Sequence, residues 1–406
     1  MQKFEKHSPV VVTEVTTKHE LRQFMQYPNR LYADNPNYIP SFYGDDLSDW
    51  TPGKNPAFDY CEARCWLARR DGEIVPPIGA ILSHKANDKF GTHRMRFSQV
   101  DFVDDSEVSA ALFGTVERWA REKGCDQVHG PLGFTDMDRE GMLVEGFDRR
   151  SLFFTNYNAP YYLEHLTRLG YRKDVDWIEY RITVPEPGGA EAERLHKLSE
   201  FILKRKHLHV ATVHHKSEYG PFVRQVFELV NAAYAPLYGV VELSDEQIER
   251  YANKFIPLVD PDFVCFVVDE QDQLVAFGVT ALDPSVALKH SDGRLFPFGW
   301  AGVLNDLHHS DTLIMLLTAV RPDLQAEGIN AVMMDHVCQS CNRHGVRFAE
   351  TGPMLELNDH ILAQWKRLEK EQHKRRRCFI KDLDHDVNAA NAAAAQTEAP
   401  ETESAE

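Results

Sequence analysis

The chain has 406 residues, 43% of them hydrophobic and 26% charged, enough for two or three soluble domains with sizeable cores. Against 45 basic residues stand 62 acidic ones, and the formal net charge of -17 argues against general nucleic-acid binding. No apolar run approaches the roughly 18 residues needed to cross a bilayer. The start, MQKFEKHSPVVV, lacks the apolar region and cleavage site of a signal peptide, and seven cysteines, an odd number, fit a reducing compartment, so a cytoplasmic location is expected.

In chain order, the first clear pattern is residues 65–82, CWLARRDGEIVPPIGAIL, two apolar runs around a polar turn, which reads as a hairpin. Pro76 and Pro77 remove two strand donors, so this hairpin has to be an edge, a bulge or distorted. The helical pattern SEVSAALFGTVERWAREKG ends in Gly124, as a left-handed cap prefers, and the strand CDQVHGP follows. An insert comes next, LGFTDMDREGMLVEGFDRRSLFFTNY, rich in acids, glycine and aromatics. Loops of such length in compact domains are often functional. The segment closes with a helix, NAPYYLEHLTRLGY after Asn158, and a strand, WIEYRITV. Then PEPGG (185–189) reads as a linker and AEAERLHKLSEFILKRKH as a connecting helix.

From about residue 208 the pattern starts again. Residues 265–282, CFVVDEQDQLVAFGVTAL, repeat the hairpin at an offset of 200 residues. The helix EGINAVMMDHVCQSCNRHG ends in Gly345, the strand VRFAETGP ends in Gly-Pro, and NDHILAQWKRLEKE after Asn358 precedes a last strand, CFIKDL. Several matches in one order point to two copies of an α/β unit. The expected division is 1–184 for the first domain, 185–207 for linker and connecting helix, 208–383 for the second domain, and 384–406 for an acidic, low-complexity, disordered tail. Asn158 and Asn358 are both expected to cap helices.

Several polar groups carry ordinary expectations. Cys338 and Cys341 form a lone C-x-x-C without a second ligand pair, and helical spacing puts Cys341 on a buried stripe. The pairs His214-His215 and His308-His309 lack metal-site spacing and read as solvated loop residues, so no metal is expected. HKRRR (His373 to Arg377) reads as a solvated helix end or strand approach, with contact to a phosphate or an anionic membrane surface as the alternative.

The two copies differ where a strand turns into a helix. In the second, DTLIMLLTAV runs through Pro322 into Gln325-Ala326-Glu327-Gly328-Ile329-Asn330 and then into a helix whose Ile329, Val332, Met333, Val337 and Cys341 share one face. Such a turn exposes free N–H groups, the glycine allows close approach, and the helix N-terminus favours an anion, so a pyrophosphate is a natural guest. In the first copy, MRFSQVDFV passes through Asp104-Asp105-Ser106, residues suited to capping, and carboxylates there would repel a pyrophosphate. Only the second copy is expected to bind the cofactor.

The Q-x-x-G-x-N loop, between the fourth strand and third helix of its copy, resembles the coenzyme A pyrophosphate loop of the GNAT acyltransferase superfamily, with Asn330 where Gly or Ala is usual. The segments GPLGFTDMDREGMLVEGFD, YNAPYYLEHLTRLGYRKDVDW, ADNPNYIP and AETGPMLELN resemble a bacterial family of tandem GNAT-like proteins. Among its members are enzymes that join long-chain acyl groups to sphingoid amines. The resemblance implies an α/β fold of two tandem GNAT-like domains, each a mixed central sheet flanked by helices. It also implies an acyl-CoA donor whose pantetheine arm lies between splayed fourth and fifth strands, and direct attack by an amine without a nucleophilic serine or cysteine. On this chain Leu317, Thr318, Ala319 and Val320 would offer backbone groups to the arm. Gln325, Ala326, Glu327, Gly328, Ile329 and Asn330 would hold the phosphates, and Asn358, with Glu356, would border the same cleft.

Glu350, which ends the strand VRFAE beside the splay, is the first candidate for general base, since partial burial raises a carboxylate's pKa. A structural acid is its alternative. In the insert, Asp136, Asp138, Glu140 and Glu145 would attract a cationic amine, and Tyr157, Tyr161 and Tyr162 would line the acceptor cleft or donate a proton. Solvated loop and core packing are the bland readings of these residues. Phe147, Phe153 and Phe154 either line an apolar groove for a lipid or belong to the core. The expected partner is a small-molecule or lipid amine, not a nucleic acid, with peripheral contact to the inner membrane if the amine is a lipid. Duplication supplies two lobes in one chain, which favours a monomer. Two readings compete with acyl-CoA-dependent N-acyl transfer: an aminoacyl-tRNA donor, and an inert GNAT-like binding protein.

Overall fold

The structure, a computed structural model, describes residues 8–383; the tail expected to be disordered, 384–406, lies outside them. Fourteen strands form one sheet. In chain order they are β1 (Val11–Glu14), β2 (Cys61–Arg70), β3 (Glu73–Ser83), β4 (Arg94–Ser98), β5 (Gln127–Gly130), β6 (Met142–Glu145) and β7 (Arg172–Thr183). The second half adds β8 (His209–Val210), β9 (Val264–Val268), β10 (Leu274–Leu282), β11 (Thr312–Val320), β12 (Phe348–Glu350), β13 (Met354–Leu355) and β14 (Lys370–Asp382).

Across the sheet the order is β1-β2-β3-β4-β5-β14-β7-β12-β11-β10-β9-β8, with β6 added on β14 and β13 on β7. Read from either edge inward the two halves are the same, and each ends on the last strand of the other. Strand β14 pairs with β5, and β7 pairs with β12. The sequence repeat and the halves of the sheet therefore part company at their final strands: residues 172–183 complete the second half and residues 370–382 the first. Between them β7 and β14 run antiparallel from Lys370 opposite Ile182 to Ile380 opposite Arg172. The ladder joins the halves through main-chain hydrogen bonds, which a linker alone would not do.

That exchange overturns the expectation for HKRRR. These residues lie inside β14, and Lys374 and Arg376 are fully buried. Side chains alternate across a strand, and each face of β14 meets acids. Arg375 and Arg377 bond Asp176 at 3.1 and 2.7 Å, while Lys374 and Arg376 bond Glu179, the lysine at 3.1 Å. Buried cations persist only when such partners offset their lost hydration.

The proline hairpin carries the bulge that its donors require. Leu67 pairs with Pro77 and Arg69 with Ile74, so two β3 residues face the single residue Ala68. On its other side β3 pairs with β4 only from Gly79 to Ile81, short of both prolines.

Helices cover both faces. Helix 106–122 buries Val108, Leu112, Phe113, Val116 and Trp119 against the first half. Helix 330–344 buries Val332, Met333 and Cys341 against the second and ends at Gly345, whose φ is +70°. The connecting helix spans Ala190–Lys206 and packs on helix 330–344. Both C-x-x-C cysteines are buried. His214 and His215 are exposed on a loop, whereas the exposed His308 and His309 end a helix rather than sit in a loop. Asn358 caps its helix, accepting from the Ile361 N–H at 3.3 Å; Asn158 does not, and accepts instead from the Leu143 N–H at 3.1 Å. Among the described residues no helix is long and apolar enough to cross a membrane.

Candidate active site

Strand β11 meets its parallel neighbour β12 over only three rungs, Thr312–Ile314 against Phe348–Glu350. Its pairing with β10 continues to Val320 but skips Leu316, the position of a bulge. From Met315 onward one edge of β11 thus has no strand beside it. The Tyr234 hydroxyl donates to the Thr318 carbonyl at 2.8 Å, and the Gln325 side-chain amide donates to the Val320 carbonyl at 3.2 Å. Because N–H and C=O of one residue lie on the same side of an antiparallel strand, the N–H groups of Thr318 and Val320 face that open edge. By the same alternation Leu317 and Ala319 turn theirs to β10. Of the four strand residues expected to serve the cofactor arm, two are placed to do so through their backbone.

The strand then leads into a short turn, Pro322–Leu324, and the helix beginning at Asn330. Ala326 and Gly328 have φ of +61° and +86°, and no side chain caps the helix. The N–H groups of Gly328, Ile329 and Asn330 have no bonded partner among the described residues. Acids nearby are matched: Glu327 pairs with Lys206, and Asp323 with Arg321 at 2.8 Å. Unbonded amides at a helix N-terminus form an anion site. A Cβ on Gly328 would stand 3.0 Å from Ile202 of the connecting helix, which backs the loop.

The matching position in the first half is self-occupied. Asp105 accepts from the N–H groups of Glu107 and Val108 at 3.0 and 3.4 Å, and Arg70 clamps Asp105 and Glu107, each at 2.8 Å. Asp104 lies 2.9 Å from His165. The Asp105 carboxylate stands where a phosphate would take the amides of Glu107 and Val108.

Glu350 occupies the last rung before the splay, opposite Ile314. Burial raises its pKa, but the Lys374 ammonium stands 3.3 Å away and opposes that rise. The same lysine contacts Glu179, which burial would push up and which Arg376 and Lys374 instead hold at about 2. His373, 3.8 Å from Glu350, is kept neutral by burial and by Lys374, its pKa lowered to about 3. Glu350 therefore belongs to a charge-balanced network beneath the splay, a setting that fits a structural acid better than a free base.

Asp136 and Glu140 are in another situation. Neither has an ion-pair partner among the described residues, and one Asp136 oxygen is buried without a hydrogen bond. Burial, then the charge of Asp138, pushes Asp136 up to about 6; burial and the charge of Asp136 push Glu140 well above the carboxylate range. Asp136 is near enough to Tyr234 that its charge, after burial, helps raise that hydroxyl to about 12. Tyr234, bonded to the open edge of β11, thus feels the charge of Asp136, and Asp136 in turn acts on Glu140. Carboxyls kept near neutrality by burial are what a general base requires.

Beside them a cleft lies between the halves, walled by Phe42, Trp50, Phe134, Phe153, Phe154 and Phe255. Four carboxylates border it. Asp46 is held by Arg139 at 2.9 Å, Asp49 by Arg250, and Asp45 lies 3.7 Å from Lys254. The fourth, Asp138, accepts from the Phe134 and Thr135 N–H groups at 2.8 and 3.1 Å and is raised to about 6, by burial first and by Asp49 next. A Cβ on Gly352, just past β12, would stand 3.6 Å from the Phe154 ring, so Phe154 joins the cleft to the splay. The acids of FYGDDLSDW and the lysine of ERYANKF carry no spacing signal that marks them as neighbours, and only the docking of helix 245–255 on the first half brings them together.

The remaining acceptor candidates fall elsewhere. Glu145 is exposed on β6 and pairs with Arg375 at 3.2 Å. Tyr157 donates to the Phe147 carbonyl at 3.0 Å and packs edge-on against Tyr32; it borders a smaller recess with Asp101, which burial raises to about 7. Tyr161 donates to the Phe102 carbonyl at 2.6 Å, and Tyr162 stacks on the Phe102 ring. Both tyrosines are packing residues. Glu356 is bound by Arg375 at 2.8 Å.

One trio among the described residues has metal-ligand chemistry: His129, Asp174 and Cys378, whose ligand atoms lie within 4.8 Å of one another. The Tyr238 hydroxyl sits among them, 2.5 Å from Asp174 and 3.0 Å from His129. Burial keeps the imidazole neutral and the thiol protonated. A cation would have to displace the phenol.

No family model matches the chain. Its sequence is 27% identical over 379 residues to Protein YghO of Escherichia coli, covering 92% of this chain and 95% of that one. It is 27% identical over 300 residues to the bacterial ceramide synthase of Caulobacter vibrioides, 72% of this chain and 75% of that protein. Among solved structures, a tandem GNAT protein from the clavulanic acid biosynthesis pathway superposes with a TM-score of 0.52 at 13% identity, over 92% of this chain and 99% of that one. A GCN5-related N-acetyltransferase from Sphaerobacter thermophilus gives 0.50 at 13% identity, over 92% and 96%. With its mirrored halves, splayed strands and bulged β11, the chain has the tandem GNAT fold, and its sequence is related to YghO along nearly its whole length.

Proposed function

We propose that the protein is an N-acyltransferase that moves an acyl group from a CoA thioester to an amine, and that the amine is a long-chain lipid amine. One juxtaposition carries the reading: an open strand edge leads into an uncapped helix N-terminus at Gly328–Asn330, and Tyr234, bonded to that edge, feels the charge of Asp136, a carboxyl that burial raises to about 6. The name of the Caulobacter relative supports the acceptor class, as does a cleft with aromatic walls and acids at its border.

A bound thioester supplies the activated acyl group. The amides of Gly328, Ile329 and Asn330 hold its phosphates. Backbone N–H groups on the open edge of β11 bond the arm and polarise the carbonyl. Asp136 and Glu140 attract the ammonium form of the acceptor and take its proton, so that the neutral nitrogen attacks. As the C–N bond forms the C–S bond breaks, and the nitrogen gives up a second proton, which passes to the departing thiolate. The test is CoA release from acyl-CoAs of graded length with a panel of amines, beside calorimetry with CoA. Release with long-chain amines supports the reading; no release with any pair and no CoA binding defeats it.

A further inference from the structure

Between β10 and β11 the chain makes two helices, Ser285–His290 and Gly299–His309, joined by the turn Ser291-Asp292-Gly293-Arg294-Leu295-Phe296-Pro297-Phe298. One side of this hairpin is core: Ala287, Leu288, Val303 and Leu307 pack with Phe42, Leu152 and Phe153, the last of which, with Phe42, walls the cleft. Its base is anchored, since the Tyr43 N–H donates to the Gly293 carbonyl at 3.0 Å and Lys289 donates to the Asn35 carbonyl at 2.8 Å. Nothing among the described residues covers the other side. Phe296 is 81% exposed, Phe298 80%, Trp300 48% and Leu304 46%, and Val286 joins them at 50%. Half of the chain's ten strongly exposed large apolar side chains among the described residues fall in this one segment.

We infer that this hairpin is a membrane-docking element, which inserts Phe296, Phe298 and Trp300 into a lipid bilayer. Composition and charge choose the bilayer: two phenyl rings exposed by about four fifths and the half-exposed Trp300 stand out from the surface, where rings of this kind sit at the headgroup level. Charge agrees: the segment's two acids, Asp292 and Asp306, are balanced by Lys289 and Arg294 with three histidines beside them, so it is neutral in a chain of net charge -17. Aromatic rings at the headgroup level with basic residues alongside are the usual make-up of an interfacial anchor. Docked there, the cleft opens next to the lipid from which a long-chain amine would come; this purpose rests on the proposed function, while the docking does not.

The experiment is sedimentation of the full chain with vesicles of phosphatidylethanolamine and phosphatidylglycerol, and with neutral phosphatidylcholine vesicles. Wild type is expected to sediment with both, and the triple variant Phe296→Ser/Phe298→Ser/Trp300→Ser to partition at least about tenfold less with unchanged circular dichroism. CoA release with a short water-soluble amine is followed in parallel. Equal sedimentation of variant and wild type overturns the inference, as does a wild type that stays in solution. A dimer of the wild type that the variant loses, without vesicle binding, overturns it in favour of self-association. Absence of CoA release with retained vesicle binding counts against the acyltransferase reading alone.

Discussion

The guanidinium of Arg376 lies against the carboxylate of Glu179, both fully buried, at the seam where the two halves exchange their last strands. Lys374 adds a second cation at 3.1 Å from the same carboxylate and passes the contact on to Glu350. Glu179 is thus the charge that lets two basic side chains of β14 enter the middle of the sheet.

Removing that charge leaves Arg376 buried without an acid among the described residues and Lys374 with Glu350 alone. Glu179→Gln is expected to destabilise the chain by about 3–5 kcal/mol, and replacing the pair together, Glu179→Met with Arg376→Met, to cost far less. Urea denaturation of the three proteins measures both. The pH dependence has a fixed sign: the folded pKa of about 2 lies below the ordinary 4.5, so this stabilisation is complete above about 4.5 and is lost as pH falls toward 2. Equal stability of Glu179→Gln and wild type at neutral pH would contradict the seam's role.

At the phosphate loop, Asn330→Glu places a carboxylate beside the three unbonded amides without touching the Ile202 packing. CoA affinity is expected to fall by about tenfold or more, roughly 1.4 kcal/mol, with the melting temperature unchanged. Gly328→Ala differs, because the left-handed backbone and the 3.0 Å approach to Ile202 make it destabilising as well. Unaltered CoA binding by Asn330→Glu would move the donor site elsewhere.

Glu140 tests a trade between stability and activity. Its folded pKa is raised, so the charged form is disfavoured by the fold, and stability is lost as pH climbs through that value. Glu140→Gln should therefore melt at a higher temperature than wild type at the alkaline end of the range, while kcat falls by about a hundredfold or more. The wild-type rate should rise with pH through about 6, where Asp136 ionises, and keep rising as Glu140 does. Glu350→Gln discriminates the two acids: the pH profile of the rate is expected to be retained. A profile that Glu140→Gln leaves intact and Glu350→Gln abolishes would reverse the assignment.

Phe154 stands where the cleft meets the splay. Phe154→Ala opens that wall at a cost of about 1–3 kcal/mol for a half-buried ring and is expected to shift the preferred acyl length upward. Mass spectrometry of products from mixed acyl-CoAs reads the shift. An unchanged product distribution at retained activity would place the acyl chain elsewhere.

Local pattern carried a good part of this protein. Periodicity, turn residues and the 200-residue repeat located both hairpins, both strand-to-helix crossings and the connecting helix, and the glycine of Gln325–Asn330 marked the loop whose amides are unbonded. The capping carboxylate Asp105 was likewise legible, since a cap acts within three residues of itself. What local pattern does not hold is pairing across the chain. Strands β7 and β14 would complete either half with the same alternation, and only the global packing assigns each to the other's sheet. Whether HKRRR is wet or buried depends on Glu179, 197 residues from Arg376, and whether Asp136 and Glu140 are solvated loop acids or carboxyls with raised pKa depends on the burial that the fold gives them. Hydrophobic period is a property of neighbours along the backbone, whereas burial of a charge is decided by what the fold sets opposite it, and that is why the elements could be read from the sequence while the site required the tertiary structure.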